Sequence, residues 1–478
     1  MHRLKAQPAF RVMIRECGKL KNVCAVILAA GDGKRMKSVG PKVLCEVLFK
    51  PMIHWVADAC AGAGLDKLCV VLGPGGDAVR EILPSRMFAV DQQERKGTGH
   101  AVMMAADYIR NGGFEDVVVL CGDAPFITPQ DIAGSYREHK EQENAVTVLS
   151  AKVRDPYGYG RVVRAGRGIV SIVEEKDADA VIGKLGEINS GAFWFNAVFL
   201  LKALEELTCD NTQSEYYLTD TVAIANRSEL RAGAFLLPHP NAVLGANDRH
   251  GLQMLNTVAR RSVLDRLLES GVNIPFEDGV IVSADAGIAA GTTLLPGTIV
   301  KGSAIIGKNC TIGPNSFVED ARIGDECLVI SSYITRSTLE SGVKIGPMSN
   351  VRPGCHIKTG AKIGDFVELK NSVVGEHTAV AHLTYVGDSD VGARCNFGCG
   401  VVTVNYDGAQ KHRTTIGDDA FVGCNTNLVA PVRMGNRSYS AAGTTVTEDV
   451  PDDSLVIGRA KQTIKKSWNK GDGRYKKQ

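Results

Sequence analysis

Along the first half of the chain, short apolar runs alternate with stretches of helical spacing. CAVILAA (24–30), LCVVLG (68–73), DVVVLCGD (116–123) and AVTVLSAKV (145–153) are almost unbroken. Runs that short, apolar at odd and even positions alike, predict strands covered on both faces, as in a parallel α/β sheet. Between them, MIHWVADACAGAG (52–64) and GHAVMMAADYIRNGG (99–113) have helical periodicity and end in glycine, a common helix stop. A further helix is predicted over NDRHGLQMLNTVARRSVLDRLLESG (247–271), capped by Asn247 or Asp248 and stopped by Gly271. Its length, about 30 Å at about 1.5 Å per residue, suits a linker between two domains.

Past Gly271 the rhythm changes. Ile345, Val351, Ile357, Ile363 and Leu369 recur every six residues. So do Val374, Val380 and Val386, and again Ile416, Val422, Leu428 and Met434, with Val446 two hexads on. Glycine follows Ile306, Ile312, Ile323, Ile345, Ile363 and Ile416. A period of six fits neither a helix nor a plain strand. It predicts the hexapeptide coil of a parallel β-helix, with the aliphatic residue pointing into the shaft and the small residue turning the corner. Between Phe397 and Ile416 the stretch VNYDGAQKHRTT (404–415) breaks the period, so a polar loop is expected to project there. The expected organisation is an N-terminal extension (1–20), an α/β domain (21–249), a linker helix (250–270) and a β-helix with a basic C-terminal arm (271–478).

Composition narrows the function. The 478 residues carry a net charge of +2, which argues against blanket attraction to nucleic acid or anionic lipid. Fifty-two glycines and only 6% aromatics favour many tight backbone corners. The thirteen cysteines contain no C-x-x-C pair, the closest spacing being Cys395 to Cys399. They read as small buried hydrophobes in a reducing cytosol rather than a disulfide framework. Arg3, Lys5, Arg11, Arg15 and Lys19 face a lone Glu16 in the extension, where Met13 offers an alternative start. No secretory h-region and no apolar run of membrane length is present, so a cytoplasmic location is expected.

The loop LAAGDGKRM (28–36) closes the first strand with Gly31, Gly33, Lys34 and Arg35. It is neither a Walker loop nor a G-x-G-x-x-G fingerprint, yet its glycines let backbone N–H groups approach a phosphate. Asp123 follows another apolar strand at the same sheet edge, where ligands bind in such folds. By itself it is either a hard ligand for Mg²⁺ or a turn cap. His382, inside the repeat, has the side chain suited to taking a proton at neutral pH, or is a surface residue of the coil.

Several motifs share an order. The opening loop with GPKVL (40–44), GTGHA (97–101), GYGR (158–161), EIN (187–189) and EYYLTD (215–220) resembles the sugar-nucleotide pyrophosphorylases. RPG (352–354), FVELK (366–370), HLTYVGD (382–388), NYDGAQK (405–411) and AAGTTVT (441–447) follow. Together, from Val23 to Trp468, they resemble the bifunctional bacterial N-acetylglucosamine-1-phosphate uridylyltransferases/glucosamine-1-phosphate N-acetyltransferases. That resemblance implies a Rossmann-like nucleotidyltransferase domain joined to a left-handed β-helix. It implies UTP and acetyl-CoA as co-substrates, Mg²⁺ as cofactor, and a homotrimer with coenzyme A at subunit interfaces.

Residue by residue, the resemblance makes Arg35 and Lys42 the cations on the triphosphate, and Asp123 and Asn247 the metal ligands. Leu28, Ala29, Gly31, Gln92, Gly97 and Thr98 fall around the nucleotide, with Gly160, Glu174 and Asn189 around the sugar. In the second half it makes His382 the general base; a carboxylate partner would fix the tautomer of that base and raise its basicity, and Glu368 is expected to be that partner. Arg352, Lys370, Tyr385, Asn396 and Lys411 match sugar-phosphate positions. Cys399, Asn405, Tyr406, Cys424, Ala442 and Arg459 match those around acetyl-CoA. Four residues depart from the pattern: Cys121 replaces a tyrosine, Asp32 puts an acid in the phosphate loop, and Cys399 and Cys424 replace alanine and serine. Direct attack by an amine needs no acetyl-cysteine intermediate, so neither thiol is assigned a covalent role. The competing reading is a monofunctional sugar-1-phosphate nucleotidyltransferase whose β-helix only holds copies together.

Overall fold

The computed structural model describes residues 20–31, 33, 36, 40–85, 87–166 and 168–468. Asp32, Lys34, Arg35 and all of the N-terminal extension except Leu20 lie outside the described residues. Contacts divide the chain into two compact units, Met1–Ala259 and Arg260–Gln478.

The first unit is built on nine strands. They are β1 (Val23–Ala29), β2 (Leu68–Leu72), β3 (Phe88–Asp91), β4 (Asp116–Cys121), β5 (Val146–Lys152), β6 (Arg161–Ala165), β7 (Gly168–Val173), β8 (Glu187–Asn196) and β9 (Ala232–Leu236). The main path runs β9-β5-β8-β4-β1-β2-β3, and the β6–β7 hairpin joins it at β8. Burial on both faces explains the unbroken apolar runs. Val23, Ala25, Ile27 and Ala29 face one core with Ile53 and Val56 of α1 (Met52–Gly62). Cys24 and Val26 face the other, with Val102 and Ile109.

Two expectations change here. The four apolar runs do lie in one sheet, but it is mixed, because β8 runs antiparallel to both β4 and β5. Its alternating aromatic residues fill both cores, Phe193 and Phe195 on one side and Trp194 on the other. The predicted helix over 99–113 is two helices, Thr98–Met104 and Ala106–Gly112, meeting at buried Ala105. No proline or glycine marks that break. The long helix runs Arg249–Glu269. Asp248 caps it, its Oδ1 accepting from the Gly251 N–H at 2.8 Å. At the far end Val272 N–H reaches Leu267 O at 2.9 Å and Gly271 N–H reaches Leu268 O at 3.0 Å. With Gly271 at φ +88°, this is a Schellman stop.

The second unit is a left-handed parallel β-helix whose flat sides are parallel sheets of ten, nine and ten strands. Ile281 pairs with Ile299 and Ile299 with Phe317, eighteen residues per coil, or three hexads. Some coils are shorter, as from Phe317 to Tyr333. One is longer: Val402 pairs with Asn427, twenty-five residues on, and the surplus is the projecting loop. Every aliphatic position named for the period is buried in the shaft.

Of the glycines that follow the aliphatic residues, Gly313 and Gly346 are left-handed, with φ of 108° and 100°, whereas Gly307, Gly324, Gly364 and Gly417 are not. Gly364, after Ile363, is outside the left-handed region; a Cβ there would strike the Ala381 carbonyl oxygen of the next coil. Close stacking, not a turn, demands glycine. Left-handed corners fall to glycines such as Gly291, Gly302, Gly354 and Gly400 and, one coil on, to Asn309, Asp320, Asn371 and Asn425, with φ of 55°, 48°, 46° and 54°. Short polar side chains tolerate that conformation. All cysteines among the described residues are free thiols. Three serve as hydrogen-bond donors inside the coil, Cys310, Cys327 and Cys395 reaching carbonyl oxygens of Gly324, Glu340 and Gly417 at 3.1, 3.1 and 3.0 Å. They repeat what the Thr292 and Thr378 hydroxyls do on Gly307 and Gly392.

Candidate active sites

In the first unit, β1 and β4 end side by side, Gly122 N–H donating to Leu28 O at 2.9 Å. Their carboxyl ends open onto two cavities. One, of about 350 Å³, is lined by Gly31, Lys42, Gln92 and Gly97 among others. The second, of about 420 Å³, is lined by Gly160, Glu174, Asn189 and Asn247 among others. Leu28, Thr98, Cys121 and Asp123 line both. The predicted nucleotide and sugar positions thus fall into adjoining halves of one cleft. Ala29 differs: its side chain packs in the core, and Ala30 takes its place on the wall.

Lys42 joins two residues far apart in sequence. Its ammonium forms an ion pair with Asp123 Oδ2 and donates to Asn247 Oδ1 at 2.9 Å. A carboxylate and an amide oxygen therefore converge on a single cation, and the ammonium stands in for one. Two hard oxygens suit Mg²⁺, which takes one or two protein ligands together with substrate phosphates and water. Burial, then the Asp123 charge, pushes the neighbouring Cys121 thiol up to about 12, so it sits there as a neutral group. Burial likewise raises Glu174, reinforced by Asp177, Asp220 and Glu215 and opposed by the Thr219 hydroxyl, which donates at 3.2 Å.

Sequence reasoning missed Arg95. It lines the first cavity and donates to Ala30 O at 2.7 Å, bracing the chain where β1 leaves the sheet. The signal was the charged ERK run just before GTGHA.

In the second unit the site follows from register. Asp365 and His382 are paired residues on successive coils. Phe397 pairs with Val422, which puts Cys399 above His382 and Cys424 above Cys399. Ala442 continues the file, since Val422 pairs with Ser440. Successive members are about 4.8 Å apart. Cys424 and Ala442 are exposed and Cys399 half-buried. Exposed Arg459 follows beside Gly443, one residue past Ala442.

Round the corner from His382 lies a charged face. Glu368 pairs with Tyr385, and Tyr385 with Val402. Arg352 Nη1 donates to Glu368 Oε1 at 2.8 Å. The Lys411 ammonium alongside, then desolvation and Arg352, push Lys370 below the usual lysine range. Three cations crowding one face with their charge only partly compensated form a seat for a phosphate. Asp388 steadies it: Asn371 and Asn405 donate to its two oxygens at 2.6 and 2.5 Å. Burial works against its charge, yet those bonds and the two lysines hold it below the usual carboxylate range.

The projecting loop is folded on itself. Asp407 Oδ1 accepts from the Ala409 and Gln410 N–H groups at 2.8 Å, and its Oδ2 meets His412 Nε2 at 2.7 Å. Arg413 clamps the base, gripping both oxygens of Asp390 and the Asn371 carbonyl. Tyr406 stands exposed on the loop. Asn396 lies on the same flat side as His382, paired with Ala379. Glu368 is committed to Arg352, and the carboxylate beside His382 is Asp365, its Oδ2 3.8 Å from Nδ1.

Residues 25–216 match the MobA-like NTP transferase domain. Several relatives matching nearly the whole chain carry the name Bifunctional protein GlmU. That of Acetivibrio thermocellus is 44% identical over 93% of this chain and 96% of its own length. That of Caldanaerobacter subterraneus subsp. tengcongensis is 46% identical over 94% and 98%. That of Thermoanaerobacter pseudethanolicus is 45% identical over 94% and 98%.

Proposed function

The chain belongs to the GlmU family of bifunctional proteins, and on that premise we propose that it carries out two consecutive reactions. The β-helix acetylates glucosamine 1-phosphate from acetyl-CoA. The α/β unit then joins the product to UTP, releasing pyrophosphate and UDP-N-acetylglucosamine. The observation that carries this reading is the His382 file meeting, round one corner, a face where Arg352, Lys370 and Lys411 gather. A scaffold has no use for crowded cations beside a histidine.

In acetyl transfer, Arg352, Lys370 and Lys411 hold the sugar phosphate, and His382 takes a proton from the amine as it attacks the thioester carbon. The C–N bond forms, the C–S bond breaks, and the proton passes to the departing coenzyme A sulfur. Acetyl-CoA lies along Cys399, Cys424 and Ala442, with Asn405, Tyr406 and Arg459 on its flanks. In uridylyl transfer, the sugar phosphate oxygen attacks the α-phosphorus of UTP in line. Positioning and charge do most of the work there. Lys42 and Arg35 answer the triphosphate, Gln92, Gly97 and Thr98 hold the uracil, and Gly160, Glu174 and Asn189 hold the acetylated sugar. Asp123 and Asn247 would hold Mg²⁺, which when bound supplies positive charge against the triphosphate.

A homotrimer is part of the proposal. Met348, Phe366 and Leu383 stand 60%, 61% and 59% exposed on successive coils beside His382. All three are held at positive φ, a strained conformation for bulky side chains. An exposed apolar ridge of this kind is suited to cover by a second copy, and sedimentation analysis would detect it. The activity test supplies glucosamine 1-phosphate, acetyl-CoA, UTP and Mg²⁺, omitting one at a time. Free thiol is expected without UTP, and pyrophosphate only when acetyl-CoA is present. Pyrophosphate formed from another sugar phosphate, with no thiol released, would favour the monofunctional alternative.

A further inference from the structure

A base that takes a proton through one ring nitrogen works best when the other is held by an acceptor, which fixes the tautomer and raises basicity. The groups facing His382 are few. Asp365 lies on the coil before and Cys399 on the coil after, while Tyr385 and the Arg352–Glu368 pair lie round the corner. Glu368 is the carboxylate of the FVELK motif, but it sits one flat side over, where its strand neighbours are Asn350 and Tyr385. Its Oε1 already accepts from Arg352 at 2.8 Å.

Asp365 is different on each count. It is the direct register partner of His382, its Oδ2 lies 3.8 Å from Nδ1, and among the described residues its carboxylate makes no other ion pair. Backbone fixes the two together, since Leu383 N–H donates to Asp365 O at 2.9 Å. At 3.8 Å the two groups lie within a small side-chain rotation of hydrogen-bond distance.

We propose that Asp365 is the positioning residue for His382, accepting Nδ1–H so that Nε2 is free to take the amine proton. The proposal rests on the reading of His382 as the base of acetyl transfer. Removing the carboxylate takes away the acceptor that fixes the tautomer and the negative charge beside the imidazolium that forms as the proton is taken.

In the full-length protein, Asp365→Asn should move the acid limb of kcat/KM for acetyl transfer to lower pH than in wild type. It should lower kcat about tenfold and leave both KM values and uridylyl transfer near wild type. Titration of the substrate amine is common to both proteins and cancels in the comparison. Glu368→Gln should raise KM for the sugar phosphate and leave the limb in place. A second readout needs no turnover: the His382 imidazole resonance, identified by its absence from His382→Asn, should titrate at lower pH in Asp365→Asn. An unmoved resonance and limb in Asp365→Asn, or a limb moved by Glu368→Gln alone, overturns the proposal. Acetyl transfer surviving in His382→Asn is a separate result, which removes the reading beneath it.

Discussion

The two units place their functional side chains by different means. In the α/β unit, Lys42, Asp123 and Asn247 come from three distant loops and meet only because strand ends and a helix start converge at one sheet edge. In the β-helix, Asp365, His382, Cys399, Cys424 and Ala442 meet because they occupy the same place on successive coils. One site is a property of the fold as a whole; the other is arithmetic on the chain. A lost side chain in the first cleft is felt across loops, whereas the coil confines it to adjacent rungs.

The largest expected effect separates the units. Removing the base should cost acetyl transfer about a hundredfold to ten-thousandfold, so His382→Ala is predicted to leave uridylyl transfer intact while free-thiol release collapses. Asp123→Ala should do the reverse, abolishing pyrophosphate release and sparing acetylation. If either substitution silences both reactions in a protein with a wild-type melting curve, the two sites are not independent and the comparison fails.

The layout of the two sites was partly readable beforehand. The period of six located the β-helix, and the broken register located the loop that carries Asn405, Tyr406 and Lys411. The register neighbour of His382 was readable too, because one coil back from 382 is 365, not 368; Glu368 met the need for a carboxylate without regard to the period. The first cleft gave less away. Apolar runs placed the strands, but the antiparallel β8 and the break at Ala105 depend on packing that no local pattern states. The Lys42 contact with Asp123 and Asn247, eighty-one and more residues apart in sequence, depends on loop ends that only the folded sheet brings together.

Next in size is a packing effect. Leu369 is fully buried, between Val351 and Val386 on neighbouring coils, and is flanked by Glu368 and Lys370. Leu369→Ala should destabilise the β-helix by about 2–5 kcal/mol, measured by denaturant unfolding. Because the cavity lies beneath the charged face, acetyl transfer should fail at lower denaturant than uridylyl transfer. Simultaneous loss would mean that the units unfold together.

A smaller effect tests the cations. Lys411→Met should raise KM for glucosamine 1-phosphate about tenfold, the value of roughly one charge-assisted contact, with kcat nearly unchanged. It should also relieve the crowding that lowers Lys370. A fall in kcat with unchanged KM would instead place Lys411 in the transition state.

The smallest effect concerns how the loop is held to the coil. Asp388 is the one acid between Asn371 on the shaft and Asn405 at the loop's root, each donating to a different oxygen. Those bonds, with the Lys370 and Lys411 charges, outweigh its burial and hold it below the usual carboxylate range. For an acid lowered in this way, the stabilisation is fully present above the unfolded value of about 4 and is lost as pH falls through the lower folded value. Asp388→Asn keeps the shape and one acceptor but removes the charge. Near neutral pH, amide exchange across 405–412 should therefore quicken about fivefold, the equivalent of roughly one hydrogen bond. Wild type and variant should converge in acid, once the wild-type carboxyl is itself protonated. If the two differ as much in acid as at neutrality, shape rather than charge anchors the loop; the second site would then owe its order to register alone, with electrostatics adding nothing to it.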